Sequence, residues 1–241
     1  MNIALILSGG TGLRVGSSIP KQYIEVGGKP VITYCLKTLH AHEAVDAIWV
    51  VAEKEWQGKI LSWLKMYGLE GSIKGFSLPG ENRQLSILNG LEDIAEFAGE
   101  DDCVMIHDAA RPCLSAQMIT DCFEGIAGHD GVLPVLPMKD TVYLSEDGKM
   151  VSSLLDRKQI FAGQAPEVFV LGKYLEANRR LLNLEEDSGN GVKRAAILAV
   201  NGSTEPAIMA GMDIVMIPGD EKNFKITTKE DLEHFRRLIE G

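Results

Sequence analysis

The sequence predicts an α/β fold: a Rossmann-like wound, mainly parallel sheet with helices on both faces and a projecting β-hairpin arm. Three observations carry that prediction. Short, nearly continuous apolar runs recur along the chain, segments with apolar residues at helical spacing lie between them, and a glycine-rich turn follows the first run directly. Strands covered on both faces read as unbroken apolar stretches, whereas half-exposed strands alternate. Strand and helix in repetition wind a parallel sheet.

The buried strands are expected at residues 3–7, 47–52, 103–107, 131–135 and 214–217. Helices are expected over residues 30–41, 55–67, 84–97 and 116–127. In the third of these, Leu88, Leu91, Ile94 and Ala95 share a face. A last helix starts at Thr228, where Asp231 supplies a capping box and Leu232, Phe235 and Leu238 follow at helical spacing. Residues 139–170 break the rhythm: 141–144, a turn at 145–149 and 150–155 read as a β-hairpin. That arm, residues 139–160, is a candidate dimerisation element. No repeat, low-complexity tract or linker interrupts the chain, so residues 1–241 read as one domain.

A chain of 241 residues buries a core large enough to need no disulfide or metal staple. With 45% hydrophobic and 24% charged residues it is not a disordered composition. A formal net charge of −10 argues against a nucleic-acid partner, because Lys and Arg drive that binding. It is compatible with a small anionic ligand held by a few converging cations. The four cysteines form no CxxC pair and read as small hydrophobes in a reducing compartment. Residues 1–7 lack a basic region and a cleavage site, and no run approaches the roughly 20 residues of a membrane span. A cytoplasmic location with no membrane partner is the expectation.

The most informative segment is Leu7-Ser8-Gly9-Gly10-Thr11-Gly12-Leu13-Arg14-Val15-Gly16. Glycines let the backbone turn sharply and bring its N–H groups against an anion, at a position facing the crevice where wound folds bind ligands. A Walker A loop would end in Gly-Lys-Ser/Thr, and a dinucleotide fingerprint would have glycine where Val15 stands. The loop satisfies neither. It offers Arg14 and, beyond a constrained turn at Pro20, Lys21. Two cations beside a glycine loop suit a triphosphate whose α-phosphorus is under attack.

Ser8-Gly9-Gly10-Thr11-Gly12-Leu13-Arg14 followed by Pro20-Lys21-Gln22 resembles the signature of a cytidylyltransferase family whose members make CDP-methylerythritol or CDP-ribitol. Gly80-Glu81-Asn82-Arg83-Gln84-Leu85-Ser86, His107-Asp108-Ala109-Ala110-Arg111-Pro112, Lys139-Asp140-Thr141, Leu155-Asp156-Arg157 and Asn223-Phe224-Lys225-Ile226-Thr227 continue the likeness in order. The resemblance implies a nucleotidyltransferase domain taking CTP and a small polyol phosphate, with Mg²⁺ bound mainly through the CTP phosphates. It implies that Arg14, Lys21 and Lys225 stabilise the pentacoordinate phosphorus and departing pyrophosphate. Ser8, Gly9, Gly10, Thr11, Gly12, Gly80, Arg83 and Ser86 would hold the cytidine and its phosphates, with Asp108 and Ala109 near the ribose and metal. Arg111, Thr141 and Arg157 would face the polyol phosphate. Arg157 would reach a neighbouring subunit's site, which implies a homodimer with shared active sites and counts Arg157 among the catalytic residues.

The acceptor is mixed in the sequence. Leu7-Ser8-Gly9-Gly10 and Gly163-Gln164-Ala165-Pro166 lean toward the ribitol phosphate branch, while residues 201–207 match the methylerythritol branch poorly and Lys222 stands where relatives are often acidic. His107 beside Asp108 raises a metal site, but the other histidines supply no ligand set and no metal-ligating residues are assigned. The alternatives are a nucleotidyltransferase for another sugar or polyol phosphate, an NAD(P)-dependent reductase, and a nucleotide-binding regulatory subunit.

Overall fold

Each apolar run of the sequence becomes a strand of one sheet. The computed structural model describes residues 1–10, 16, 17, 19–186 and 202–241. The first half of the chain runs β1 (Asn2–Leu7), the short pair β2 (Glu25–Val26) and β3 (Lys29–Pro30), α1 (Val31–His40), β4 (Ala47–Val51), α2 (Lys54–Met66), β5 (Ile73–Ser77), α3 (Arg83–Ala95) and β6 (Cys103–Asp108). The second half runs α4 (Ala116–Gly125), β7 (Gly131–Pro137), β8 (Val142–Leu144), β9 (Ser153–Leu155), β10 (Phe161–Gly163), β11 (Glu167–Val170), α5 (Leu171–Glu186), α6 (Glu205–Met209), β12 (Ile214–Pro218) and α7 (Lys229–Glu240).

In the main sheet β1 lies between β4 and β6 and is parallel to both, and β5 extends the sheet beyond β4. On the other side β11 runs antiparallel between β6 and β7, β10 continues along the same edge of β7, and β12 takes the opposite edge of β7 in parallel. The sheet is therefore parallel apart from the β10–β11 segment, and its strands β1, β4, β5, β6, β7 and β12 all end on one side.

The alternation within β1 divides the core. Ala4 and Ile6 pack with Ile32, Leu36 and Leu39 of α1, Ile60 and Leu64 of α2, and Ile119 and Cys122 of α4. Ile3 and Leu5 point to the opposite face, against Ile87, Leu91 and Ile94 of α3 and Tyr174 of α5. Helices on both faces explain why this strand carries no polar alternation. A smaller cluster joins Val26 and Val31 to Ile226, Leu232 and Phe235, so α7 packs back against the N-terminal segment. Its capping box is complete: the Thr228 hydroxyl accepts from the Asp231 amide, and the Asp231 carboxylate accepts from the Thr228 amide at 2.8 Å.

Some expectations shift. Leu238 is 55% exposed and does not share the buried face of Leu232 and Phe235. The arm pairs only 142–144 with 153–155, in the register Val142 to Leu155, so residues 150–152 belong to its turn region. Strands β5, β10 and β11 and helix α5 were not expected. Lys74 and Gly75 interrupt β5 and most of its residues are only partly buried, as suits an outer strand, while β10 has only Phe161, Ala162 and Gly163. All four cysteines are free, and burial pushes the Cys35 and Cys122 thiols up to about 12. Among the described residues no helix is long and apolar enough to cross a membrane.

Candidate active site

The carboxyl ends of β1, β5 and β6 converge on a cleft of about 550 Å³. In a wound sheet this is the crevice that accepts ligands, because the loops leaving neighbouring strands diverge there. Gly9 and Gly10 form one wall, Gly80 and Arg83 another, and Asp108, Lys21 and Lys225 line it as well.

The turn after β1 is held from behind. The Gln22 amide donates to the carbonyls of Ser8 at 2.7 Å and Gly10 at 2.8 Å. The Tyr23 hydroxyl donates to the Ser8 carbonyl at 3.0 Å and accepts from the Ser8 hydroxyl at 2.8 Å. Pro20 sets the entry to a short 3₁₀ turn over Lys21–Tyr23, which places Lys21 at the cleft and buries Gln22 and Tyr23 beneath it. Tyr23 stacks on Trp56 at 4.2 Å between ring centroids, and burial drives its hydroxyl up to about 12, so it stays a neutral bridge. Gly9 is needed for close approach: a Cβ there would meet Cβ of Pro79 at 2.5 Å.

The second wall is the start of α3. Asn82 caps it by accepting from the Leu85 amide at 2.8 Å. The Ser86 hydroxyl donates to the Asn82 carbonyl and accepts from the Gly80 amide at 3.0 Å. Gly80 lies so close to α3 that a Cβ would collide with Cβ of Leu85.

Asp108, at the end of β6, is the electrostatic centre. Its Oδ2 lies 3.0 Å from Lys225 Nζ and 3.4 Å from Arg111 Nε, and its Oδ1 lies 3.4 Å from Arg83 Nη2. Burial works against its ionisation, but Arg83, Lys225 and Arg111 outweigh it and hold the carboxyl well below the usual carboxylate range. Arg111 is fixed in turn by donating to the Asn223 carbonyl at 2.7 Å. His107 points away into the interior. Burial lowers it to about 4, and its Nε2 sits 3.1 Å from the Arg111 carbonyl, so the neutral ring donates there and braces the same loop.

The residues singled out in the sequence fall into groups. Gly9, Gly10, Lys21, Gly80, Arg83, Ser86, Asp108 and Lys225 line the cleft. Ser8 and Ala109 are buried beneath it, and Ala110 is the alanine that reaches the surface of the cleft. Arg111 is one layer behind, on Asp108. Thr141 and Arg157 are exposed on the arm, where Arg157 donates to the Lys139 carbonyl at 2.8 Å, and neither lines this chain's own cleft. Thr11, Gly12 and Arg14 lie outside the described residues. Asn201 does too, while Ser203, Pro206 and Ala207 are buried. Sequence reasoning missed Gln22 and Asn82, and it missed the buried Glu167, whose one signal was a lone acid heading the apolar run Val168-Phe169-Val170.

Among the described residues no cluster of His, Cys, Asp or Glu could by itself hold a metal. What the cleft supplies is backbone that can cradle a nucleotide and cations that take up phosphate charge, equipment that suits a nucleotidyltransferase. Comparison narrows the class. The sequence matches the IspD family, 2-C-methyl-D-erythritol 4-phosphate cytidylyltransferase, over residues 2–240, and the chain belongs to that family. It is 30% identical to a ribitol-5-phosphate cytidylyltransferase of Streptococcus agalactiae serotype Ia, over 100% of this chain and 96% of that one. It is 34% identical to a 2-C-methyl-D-erythritol 4-phosphate cytidylyltransferase of Lachnospira eligens, over 100% of each chain. The crystal structure of the Francisella tularensis 2-C-methyl-D-erythritol 4-phosphate cytidylyltransferase resembles it with a TM-score of 0.78 at 26% identity, covering 98% of both chains.

Proposed function

We propose that the chain transfers CMP from CTP to a five-carbon polyol phosphate, D-ribitol 5-phosphate or 2-C-methyl-D-erythritol 4-phosphate, releasing pyrophosphate. The observation that carries this is the convergence of Lys225, Arg83 and Arg111 on one ionised carboxylate beside the glycine turn. An acceptor phosphate is already a nucleophile at neutral pH, so in-line attack on the α-phosphorus needs no strong general base. The protein's work is positioning and charge stabilisation. Lys21 and Lys225 would meet the charge growing on the phosphorus oxygens and the leaving pyrophosphate, and Arg14 would join them. Asp108 keeps Lys225 and both arginines in place before substrate arrives, so little reorganisation remains for the transition state. With the Gly80 amide committed to Ser86, the Gly80 carbonyl can accept from a cytosine amino group, a contact uracil does not offer.

Mg²⁺ suits this site as a companion of the nucleotide. It demands hard oxygen ligands, and Asp108 is already compensated by three cations, so CTP phosphates would supply most of the shell. Bound there, it would neutralise charge on the triphosphate. The arm supports a homodimer. Tyr143, Leu144, Met150, Val151 and Leu154 are exposed on an isolated two-stranded hairpin, which is marginal in water without a partner surface. Arg157 and Thr141 would then enter the neighbouring cleft. A cytoplasmic location is part of the proposal, supported by four free thiols.

The test is pyrophosphate release with CTP and Mg²⁺, offering the two acceptors in parallel and repeating with ATP, GTP and UTP. Turnover with CTP and one acceptor is expected. Turnover with another nucleotide in preference to CTP, or with neither acceptor at high enzyme, would overturn it.

A further inference from the structure

A buried polar chain runs behind the cleft, and the chemistry above makes no use of it. Glu167 opens β11, the antiparallel strand beside β6, in register with Ile106. It is 8% exposed, and its carboxylate accepts from the Ser203 hydroxyl and lies 4.0 Å from Arg83 Nη2. Ser203 is itself 1% exposed, and its carbonyl accepts from the Tyr174 hydroxyl at 2.7 Å. Arg83 therefore stands between two carboxylates, Asp108 on β6 and Glu167 on β11.

An acid at this depth persists only where a charge partner and hydrogen bonds offset its desolvation. Burial raises the Glu167 carboxyl while Arg83 and Ser203 oppose that rise, so the acid and the guanidinium depend on each other. Asp108 meets Arg83 through one oxygen only, Oδ1, which lies 3.4 Å from both Nε and Nη2. Glu167, from a different strand, adds a second anion 4.0 Å from Nη2 and so constrains that end of the guanidinium further.

We infer that Glu167, itself held by Ser203, is a positioning residue that fixes the Arg83 guanidinium in the one orientation that meets CTP. The role rests on the CTP reading above. It also ties residues 202–207 to the cleft, since Ala207 packs in the core under α3 and α5 and Ser203 carries that rigidity to Glu167.

The experiment is a double-mutant cycle on the full chain, combining Glu167→Gln with Arg83→Ala, read as KM for CTP, KM for the acceptor and kcat. Gln keeps the size of the side chain and an acceptor for Ser203 but removes the charge. Loss of a charge-assisted contact predicts a KM for CTP raised about tenfold, with the acceptor KM unchanged. In the Arg83→Ala background the same change should add less than about twofold, because its target is gone. Ser203→Ala should raise the CTP KM about threefold, and Ser203→Thr, which keeps the hydroxyl, should restore it. These serine variants decide the matter if Glu167→Gln does not fold. Equal effects of Glu167→Gln in both backgrounds, or no change in CTP KM with either the glutamate or the serine variant, would overturn the inference. Since the unaltered chain is assayed alongside, its failure to use CTP would bring down the functional reading and this role with it, whereas normal turnover with an additive cycle would remove this role alone.

Discussion

Replacing Asp108 with Asn removes the anion that Lys225, Arg83 and Arg111 share while leaving the side-chain shape intact. A unit-charge pair at 3.0 to 3.4 Å interacts by about 5 kcal/mol at an effective dielectric constant near 20, before desolvation is subtracted. Arg83 and Lys225 are about one-third exposed, so water screens much of that attraction, whereas the Asp108 side chain is only 10% exposed. Deleting one partner of a largely buried group costs about 3–5 kcal/mol. In a chain of 241 residues that corresponds to a Tm lowered by roughly 6–20 °C at pH 7, followed by circular dichroism. The pH dependence follows from the direction of the shift. The folded carboxyl titrates below its unfolded value of about 3.9, so its contribution is complete above that value and fades as pH falls toward the lower folded one. The gap between wild type and Asp108→Asn should be constant from pH 5 to 8 and narrow below about pH 4. A gap under about 2 °C at pH 7, or one that persists undiminished in urea titrations at pH 3, would refute the reasoning.

Gln22→Ala strips the donor from the Ser8 and Gly10 carbonyls, and at about 1–3 kcal/mol for a polar group left unpaired should raise the Kd for CTP about 5- to 150-fold. Titration calorimetry with CTP checks it, and unchanged affinity would show that the turn holds itself. Gly9→Ala drives a Cβ against the Pro79 ring and should cut CTP affinity comparably, whereas Gly10→Ala meets nothing within 4 Å and should be mild. If the arm is a dimer interface, Leu154→Asp should shift sedimentation toward the monomer, and an unchanged sedimentation coefficient would count against that role. Mixing Arg157→Ala with Lys21→Ala chains should restore activity in heterodimers if sites are shared, and no recovery would argue that each site is built from one chain.

The legible parts of this molecule were those where one local rule decides. Ile3 to Ile6 sit in a strand covered on both sides, and an unbroken apolar run has few other homes. The Thr228 and Asp231 pair marks a helix start whatever surrounds it. β5 was missed because Lys74 and Gly75 give it neither period, and Leu238 was misplaced because helical spacing does not say where the covering layer stops. In the site, glycines and cations of the turn were visible as chemistry. Gln22 and Glu167 were not, since their roles come from segments far away in sequence: a carbonyl at Ser8 for one, a guanidinium at Arg83 for the other. The identity of a residue advertises what it can bond, but only the fold supplies the partner.

The packing of α7 against Val26 and Val31 sets a timetable for synthesis. The turn after β1 is made well before Lys225 and the helix that anchors its neighbour Ile226. Domains tend to fold as units while the chain emerges. A single domain that folds as a unit thus completes this site late, because Asp108 lacks one of its cations until residue 225 has been made. Chains interrupted before residue 225 would carry the glycine turn but leave Asp108 short of the cation 3.0 Å from its Oδ2.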